Sequence, residues 1–150
     1  MRLFAALLLV LTPVTPSNVM AADPPRTIEI VATDDMKYSV GSITARPGEP
    51  IRIRLVVKGA MPKIVMSHNV VVLKPGTDIT KLVTDGAPHR ANDFIPPAMM
   101  TSVIAKTALA GPGETVEVVF AAPKAPGRYP YICTFAGHYQ AGMKGTLIVK

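Results

Sequence analysis

Apolar and polar residues alternate along several short stretches of the chain. The pattern is clearest at 51–57, where apolar residues alternate with arginine, and at 114–120, where they alternate with glutamate or threonine. A period of two places one face of a β-strand against a core and the other in water. Stretches rich in β-branched residues predict further strands at 27–32, 42–46, 68–73, 101–105, 128–133 and 146–149.

Turn residues separate these stretches. The pairs Pro47-Gly48 and Pro75-Gly76 and the triplet at 111–113 are typical of tight turns. One helix is predicted within 77–93, with Asp78 as its N-cap, and Gly86 and Pro88 end it early. The pattern therefore predicts an all-β fold, a Greek-key antiparallel β-sandwich of seven to eight strands with one short helix.

The N-terminus has the features of a secretory signal peptide. Arg2 precedes an uncharged apolar run, and small residues at 19 and 21 suit cleavage after Ala21. The run is about half the ~20 residues that a membrane-spanning helix needs. We therefore expect residues 1–21 to be removed, which leaves a soluble exported domain at 22–150 without a membrane span.

The chain is basic, with a formal net charge of +6. A charge of this size suggests acidic or anionic partners and electrostatic steering. The lysines and arginines are scattered and aromatic residues are few, which argues against a nucleic-acid-binding protein.

The single cysteine, Cys133, is unusual for an exported protein, because exported proteins generally pair their cysteines. It fits a buried inert thiol, a free reactive thiol or a metal ligand. His138 and Met143 follow it with the spacing C-x4-H-x4-M, and His68 lies far upstream. Taken singly, the two histidines and the methionine fit ordinary core or loop positions, but two imidazoles, a thiolate and a thioether together are the donor set of a trigonal copper site.

Two neighbouring residues are expected to support such a site. Asn69 is placed to hydrogen-bond with the region of Thr134, and Phe135 has a free N–H that can point at the cysteine sulfur. His89 lies between proline and arginine without another soft ligand nearby, so we expect it to be solvated and outside the site.

The chain resembles azurin and its relatives among the blue copper proteins, the cupredoxins. The resemblance covers nearly all of the mature chain and rests on the segments 35–38, 65–69, 82–86, 103–107, 133–138 and 143–147. It implies an eight-stranded Greek-key sandwich with a short helix on a flap. It also implies one type 1 copper ion bound by His68, Cys133, His138 and Met143, with the carbonyl of residue 67 as a distant fifth contact.

The chain departs from the azurin pattern at four points. It has no second cysteine for the N-terminal disulfide of azurins, Ser67 replaces a glycine, and Ala136 replaces a proline. Four residues separate His138 from Met143, where azurins have three, and this longer loop resembles that of auracyanins.

The resemblance implies a periplasmic carrier of single electrons rather than an enzyme. Its partners would be a c-type cytochrome and a reductase or oxidase, and we expect it to be a monomer. By similarity, partners dock on an apolar patch around the C-terminal-loop histidine. The corresponding positions are Met36, Met66, Ala87, Ala136, Gly137 and His138.

Two other functions fit the copper ligands less well. A copper-buffering or copper-delivery protein would use Met61, Met99 and Met100 as extra thioether sites, but it needs an exposed and labile site. A copper enzyme such as a nitrite reductase needs a second metal centre, and the chain has three histidines in all.

Overall fold

The computed structural model describes residues 24–150, so the predicted signal peptide at 1–21 lies outside the described residues. Nine β-strands form within the described part. Their bounds are Arg26–Thr33 (β1), Lys37–Tyr38 (β2), Ser42–Ala45 (β3), Pro50–Val57 (β4), Val71–Leu73 (β5), Val103–Lys106 (β6), Thr115–Ala121 (β7), Gly127–Ile132 (β8) and Lys144–Val149 (β9). The short β2 brings the number above the predicted seven to eight.

The strands form two sheets that pack face to face. One sheet has the order β2-β1-β4-β7 and the other the order β3-β9-β8-β5-β6. The predicted all-β Greek-key sandwich is confirmed, but not every strand pair is antiparallel: β1 pairs with β4, and β3 with β9, in parallel. Strand β3, which lies between β1 and β4 in the chain, belongs to the opposite sheet. The chain therefore crosses the sandwich after β2 and enters β4 in the same direction as β1, which makes their pairing parallel.

Strand β4 shows how the alternating pattern builds the core. Ile51, Ile53 and Leu55 are buried between the sheets. On the other face of the strand, the Arg52 guanidinium lies 2.6 Å from the Glu117 carboxylate. Each fully buried aliphatic side chain contributes about 1.5–3 kcal/mol to the free energy of unfolding. The alternation predicted for this strand is confirmed.

A long connection joins β5 to β6 and carries the helix Ile79–Gly86 (α1). The predicted N-cap is confirmed, because the Asp78 side chain accepts a hydrogen bond of 2.9 Å from the N–H of Lys81. The helix buries Leu82 and Val83 in a small cluster with residues of β5 and β8. Two 3-10 helices follow, at Arg90–Asn92 and Pro97–Ser102.

The second 3-10 helix replaces the start of the strand predicted at 101–105, and β6 begins at Val103 instead. Pro97 stands at the first helical position, where its fixed φ favours a helical start. Within residues 24–150, no helix is long and apolar enough to cross a membrane.

The connections β1–β2, β4–β5, β6–β7 and β8–β9 meet at one end of the sandwich. The prediction of a continuous strand at 68–73 is wrong for its first residues, since β5 begins at Val71 and His68 forms an isolated bridge with Ala110. Asn69 interrupts the ladder because its carbonyl accepts from the Tyr38 hydroxyl and its side chain bonds to Thr134. This end of the sandwich holds the candidate site.

Candidate metal centre

Three of the four sequence-predicted ligands come from a single stretch of chain. Cys133 directly follows β8, a central strand of the five-stranded sheet, and His138 and Met143 lie on the connection to β9. The N–H of Cys133 donates to the carbonyl of Met143 at 3.2 Å, and the N–H of Met143 donates to the carbonyl of His138 at 3.0 Å. These hydrogen bonds close the loop and bring its residues against the end of the strand.

His68 reaches the same place from the β4–β5 connection. Its N–H donates to the carbonyl of Ala110 and its carbonyl accepts from the N–H of Ala110, both at 2.8 Å. This pair of backbone hydrogen bonds fixes the position of the imidazole against the β6–β7 connection. Because both the N–H and the carbonyl of His68 are hydrogen-bonded, its side chain is already positioned before a metal binds.

The donor atoms converge. One ring nitrogen of His68, one of His138 and the sulfur of Cys133 all lie within 4.8 Å of one another. The Cys133 sulfur is 3.5 Å from Nδ1 of His138, and the two imidazole centroids are 4.9 Å apart. All three side chains are buried, and Met143 is also fully buried in the adjoining core.

Both ring nitrogens of His68 are buried without a hydrogen-bond partner. An unpaired buried polar atom is costly, by about 1–3 kcal/mol, and is rare in native proteins. A metal ion bound at one nitrogen would relieve part of this cost. The donor set therefore fits a copper ion, since thiolate and thioether sulfur suit Cu(I) and imidazole accepts Cu(II) as well.

Burial sets the protonation states of the three converging side chains in the metal-free protein. It raises the pKa of the Cys133 thiol to about 12, although the backbone N–H groups of Asn69 and Phe135 act in the opposite direction. Burial, together with the neighbouring His68, lowers the pKa of His138 to about 4. It also lowers the pKa of His68, against the attraction of the Asp34 carboxylate. Both imidazoles are thus neutral at pH 7, the form that binds metals.

Hydrogen bonds between Asn69 and Thr134 join the two segments that carry the ligands. The amide Nδ2 of Asn69 donates to the Thr134 hydroxyl at 2.8 Å, and its Oδ1 accepts from the Thr134 N–H at 3.0 Å. The contact expected from the sequence is confirmed. The expectation for Phe135 is also supported, since its N–H favours the charged form of the neighbouring thiol.

Glycine has different uses along the ligand loop. Gly137 and Gly142 adopt positive φ values of 86° and 97°, which allow tight turns in the loop. Gly145 does not serve a turn: it lies in β9, where a Cβ atom would clash with the ring of Tyr131.

Comparison with known proteins identifies the family of this chain. Residues 27–150 match the family model of copper binding proteins described as the plastocyanin/azurin family. The chain belongs to this family. The predicted cofactor, copper, is thereby confirmed, and blue copper electron transfer is the function that the family and the converging ligands support.

The chain is similar to proteins named auracyanin and azurin. This plastocyanin/azurin-family chain is 37% identical to Auracyanin-B of Chloroflexus aurantiacus over 135 residues, which span 89% of the chain and 56% of auracyanin-B. It is 36% identical to azurin of Pseudomonas denitrificans, over 82% of the chain and 97% of azurin. The solved structure of auracyanin A, a "blue" copper protein of Chloroflexus aurantiacus, aligns with a TM-score of 0.75 and 34% identity over 85% of the chain and all of auracyanin A.

The apolar patch predicted around His138 is only partly exposed. Ala87, Ala136 and Gly137 are exposed. Met36 is half-buried, and Met66 is buried, so its assignment to an exposed patch is wrong. Met66 is 8% exposed and lies in a tight turn, in which its N–H donates to the carbonyl of Pro62 at 3.0 Å.

The carbonyl oxygen of Ser67, which the resemblance implied as a distant fifth contact of the copper, lies 4.0 Å from the Cys133 sulfur.

The structure also brings two residues close to the site that the sequence pattern did not indicate. Asp34 and Arg90 were not predicted. Asp34 accepts from the N–H of Ala60 at 2.8 Å, and Arg90 lies over the ring of Phe135. No local motif marks either residue, because both contacts depend on long-range packing. His89 does not join the ligands: its backbone caps the first 3-10 helix.

Proposed function

We propose that this protein is a one-electron carrier in which His68, Cys133, His138 and Met143 bind a single type 1 copper ion. The observation that carries the proposal is the convergence of one sulfur and two imidazole nitrogens within 4.8 Å in a buried place. Bound copper would supply the one-electron couple between Cu(II) and Cu(I). His68, Cys133 and His138 would hold the ion through two imidazole nitrogens and a sulfur, and Met143, fully buried beside them, would offer its thioether sulfur.

The protein side of this function is to hold the ligands still. Backbone hydrogen bonds fix His68, and the hydrogen bonds between Asn69 and Thr134 tie its segment to the cysteine. Ligands that move little between two oxidation states make electron transfer fast, since little reorganisation accompanies each step. Burial also keeps water away from the sulfur.

Partners would dock where the site approaches the surface, at the exposed Ala136 and Gly137 beside His138. Such partners are redox proteins, for example a c-type cytochrome and a reductase or oxidase. Small interfaces suit carriers that must release their partners quickly. We further propose that residues 1–21 are a signal peptide, that the domain at 22–150 works in the periplasm, and that it is a monomer.

Copper buffering or delivery is the alternative. Met61 and Met100 are exposed, as that function would need, whereas Met99 is partly buried against the small cluster that α1 forms with β5 and β8. The converging ligands are buried, which disfavours rapid exchange of the metal with a second protein.

The test is the visible spectrum of the protein at 22–150 with one equivalent of Cu(II). An intense thiolate-to-copper charge-transfer band that disappears on reduction and returns on oxidation supports the carrier. The Cys133→Ser variant should lose the band, while a Met61→Leu variant, changed at an exposed methionine outside the site, should keep it. Weak absorption in the wild type, with rapid loss of copper to a chelator, would instead favour the delivery function.

A further inference from the structure

Exposed apolar side chains are concentrated in one turn close to the copper ligands. The N–H groups of Val65 and Met66 both donate to the carbonyl of Pro62 at 3.0 Å, which closes the turn. Ile64 is 64% exposed and Val65 50% exposed, and both are among the five exposed large hydrophobic residues of the described chain. Two residues after Met66, the chain reaches the buried His68. Neither Ile64 nor Val65 contributes to the described core clusters, so their exposure is not explained by folding.

Arg90 links this turn to the other histidine of the site. Its Nη1 donates to the carbonyl of Ile64 at 3.2 Å. The guanidinium carbon lies 5.8 Å from the ring centroid of Phe94 and 6.0 Å from that of Phe135. The Phe135 ring in turn packs on the His138 imidazole, with centroids 4.7 Å apart. Three contacts thus hold a permanent positive charge beside the ring that packs on His138.

The charge of Arg90 is not neutralised by a carboxylate within the described part of the chain. The nearby Asp93 carboxylate is bound by Lys106 at 2.5 Å, and no ion pair of the described residues includes Arg90. A second cation lies over the residue that follows His138. The Lys144 ammonium is 5.3 Å from the ring centroid of Tyr139. The surface around His138 is therefore basic, in keeping with the net charge of +6.

We propose that Ile64, Val65, Arg90, Ala136 and Gly137 form one docking surface, the Arg90 face, for a redox protein whose own docking surface carries carboxylates around an apolar centre. The inference rests on the proposed function and specifies its partner. A guanidinium covered by a partner must be paired, and its planar fork matches a carboxylate in a bidentate way. The apolar turn and the exposed Ala136 and Gly137 would pack on the apolar centre of the partner.

The positive charge of the Arg90 face disfavours a second copy of this chain as the partner. A second copy of this chain would bring Arg90 and Lys144 against the same basic surface, and like charges across an interface repel each other. An acidic partner is attracted instead, which raises the rate of encounter at low salt.

The experiment uses the copper-loaded protein and two c-type cytochromes, one with an acidic and one with a lysine-rich surface. Stopped-flow spectroscopy gives the second-order rate constant for electron transfer at several ionic strengths. Arg90→Gln should lower the rate with the acidic cytochrome roughly 3- to 10-fold at low salt, flatten its salt dependence, and leave the lysine-rich cytochrome unchanged or faster. Arg90→Lys, which keeps the charge, should recover part of the loss.

Arg128→Gln is the matched control. Arg128 is also exposed and outside every ion pair of the described chain, but it lies near the start of β8, at the opposite end of the strand that leads to Cys133. The visible band and the reduction potential of each variant show whether the copper site is intact.

A double variant, Ile64→Ser with Val65→Ser, should weaken binding of the acidic cytochrome without changing the salt dependence.

The outcomes separate the two proposals. If the wild type exchanges electrons with the cytochromes but Arg90→Gln behaves as Arg128→Gln, the Arg90 face is wrong and the carrier function stands. If Arg90→Gln speeds electron exchange between copies of this protein and leaves the acidic cytochrome unaffected, the surface is a self-contact and the inference fails. A wild type that forms no visible band and exchanges electrons with neither cytochrome refutes both proposals.

Discussion

Asn69 and Thr134 are joined by hydrogen bonds in both directions across the two ligand-bearing segments. The Asn69 amide donates to the Thr134 hydroxyl, and its oxygen accepts from the Thr134 N–H. Both residues are fully buried, and each is the immediate neighbour of a proposed copper ligand. One side-chain amide therefore links the segment of His68 directly to that of Cys133.

Asn69→Ala should destabilise the metal-free protein by about 1–3 kcal/mol, because it leaves the buried N–H of Thr134 without a partner. The visible band of the copper form should also shift as the thiolate loses its fixed orientation. Urea unfolding measures the first effect and absorption the second. Asn92→Ala, at an exposed asparagine in the first 3-10 helix, is the control and should leave both unchanged.

The stability of the metal-free protein should depend on pH on both sides of neutrality. The pKa of His138 falls from 6.5 to about 4 on folding, and that of His68 also falls, so the unfolded chain binds more protons below pH 6.5. Acidification should therefore reduce stability from pH 6.5 downwards. The pKa of Cys133 rises from 9.0 to about 12, so above pH 9.0 the folded chain retains a proton that the unfolded chain loses, and stability should fall again.

Urea unfolding of the metal-free protein across this range checks both limbs. Cys133→Ser should remove the contribution of the thiol to the alkaline limb while leaving the acidic limb in place. An acidic limb that is equally steep after His138→Gln would contradict the assignment to the imidazole.

The Asp34 carboxylate should hold the reduction potential of the bound copper down. One of its oxygens is buried without a partner, and its charge acts on His68. A negative charge favours Cu(II) over Cu(I), so Asp34→Asn should raise the potential, as measured by redox titration. Asp35→Asn, at the exposed neighbouring acid, should raise it less. An equal rise in the two variants would show only a diffuse effect of net charge.

Gly145→Ala should be destabilising by about 1–3 kcal/mol, the usual cost of adding a methyl group to a filled core. The new Cβ would clash with the ring of Tyr131, whose hydroxyl donates to the carbonyl of Val40 at 2.5 Å and cannot easily move. Thermal unfolding compares it with Gly41→Ala, where a Cβ meets nothing within 4 Å. Similar melting temperatures for the two variants would show that the ring can yield.

The sequence predicted most strands because their period of two is a local property, as in β4 with its buried Ile51 and Ile53. It also predicted the cap at Asp78, since a capping side chain bonds within its own turn. The converging residues were predicted from their spacing and from the resemblance, and the structure brings His68, Cys133 and His138 together.

The remaining features depend on pairings between distant segments. Nothing in the residues of β1 specifies a parallel neighbour, because that pairing follows from the path of the chain through the opposite sheet. The Tyr38 hydroxyl, which helps to take Asn69 out of the predicted strand, comes from a different hairpin. The position of Arg90 over Phe135 likewise joins residues that are far apart in sequence, and no periodicity records it.

The hydrogen bond from Cys133 to the Met143 carbonyl closes the ligand loop at its base, where β8 ends and β9 begins. Beneath that base the two strands pair in one unbroken antiparallel register, from Ile132 opposite Lys144 to Gly127 opposite Val149. The segment between them is thus an exchangeable module. A change in the length of this loop should therefore alter the surroundings of the metal while the paired strands beneath it stay as they are.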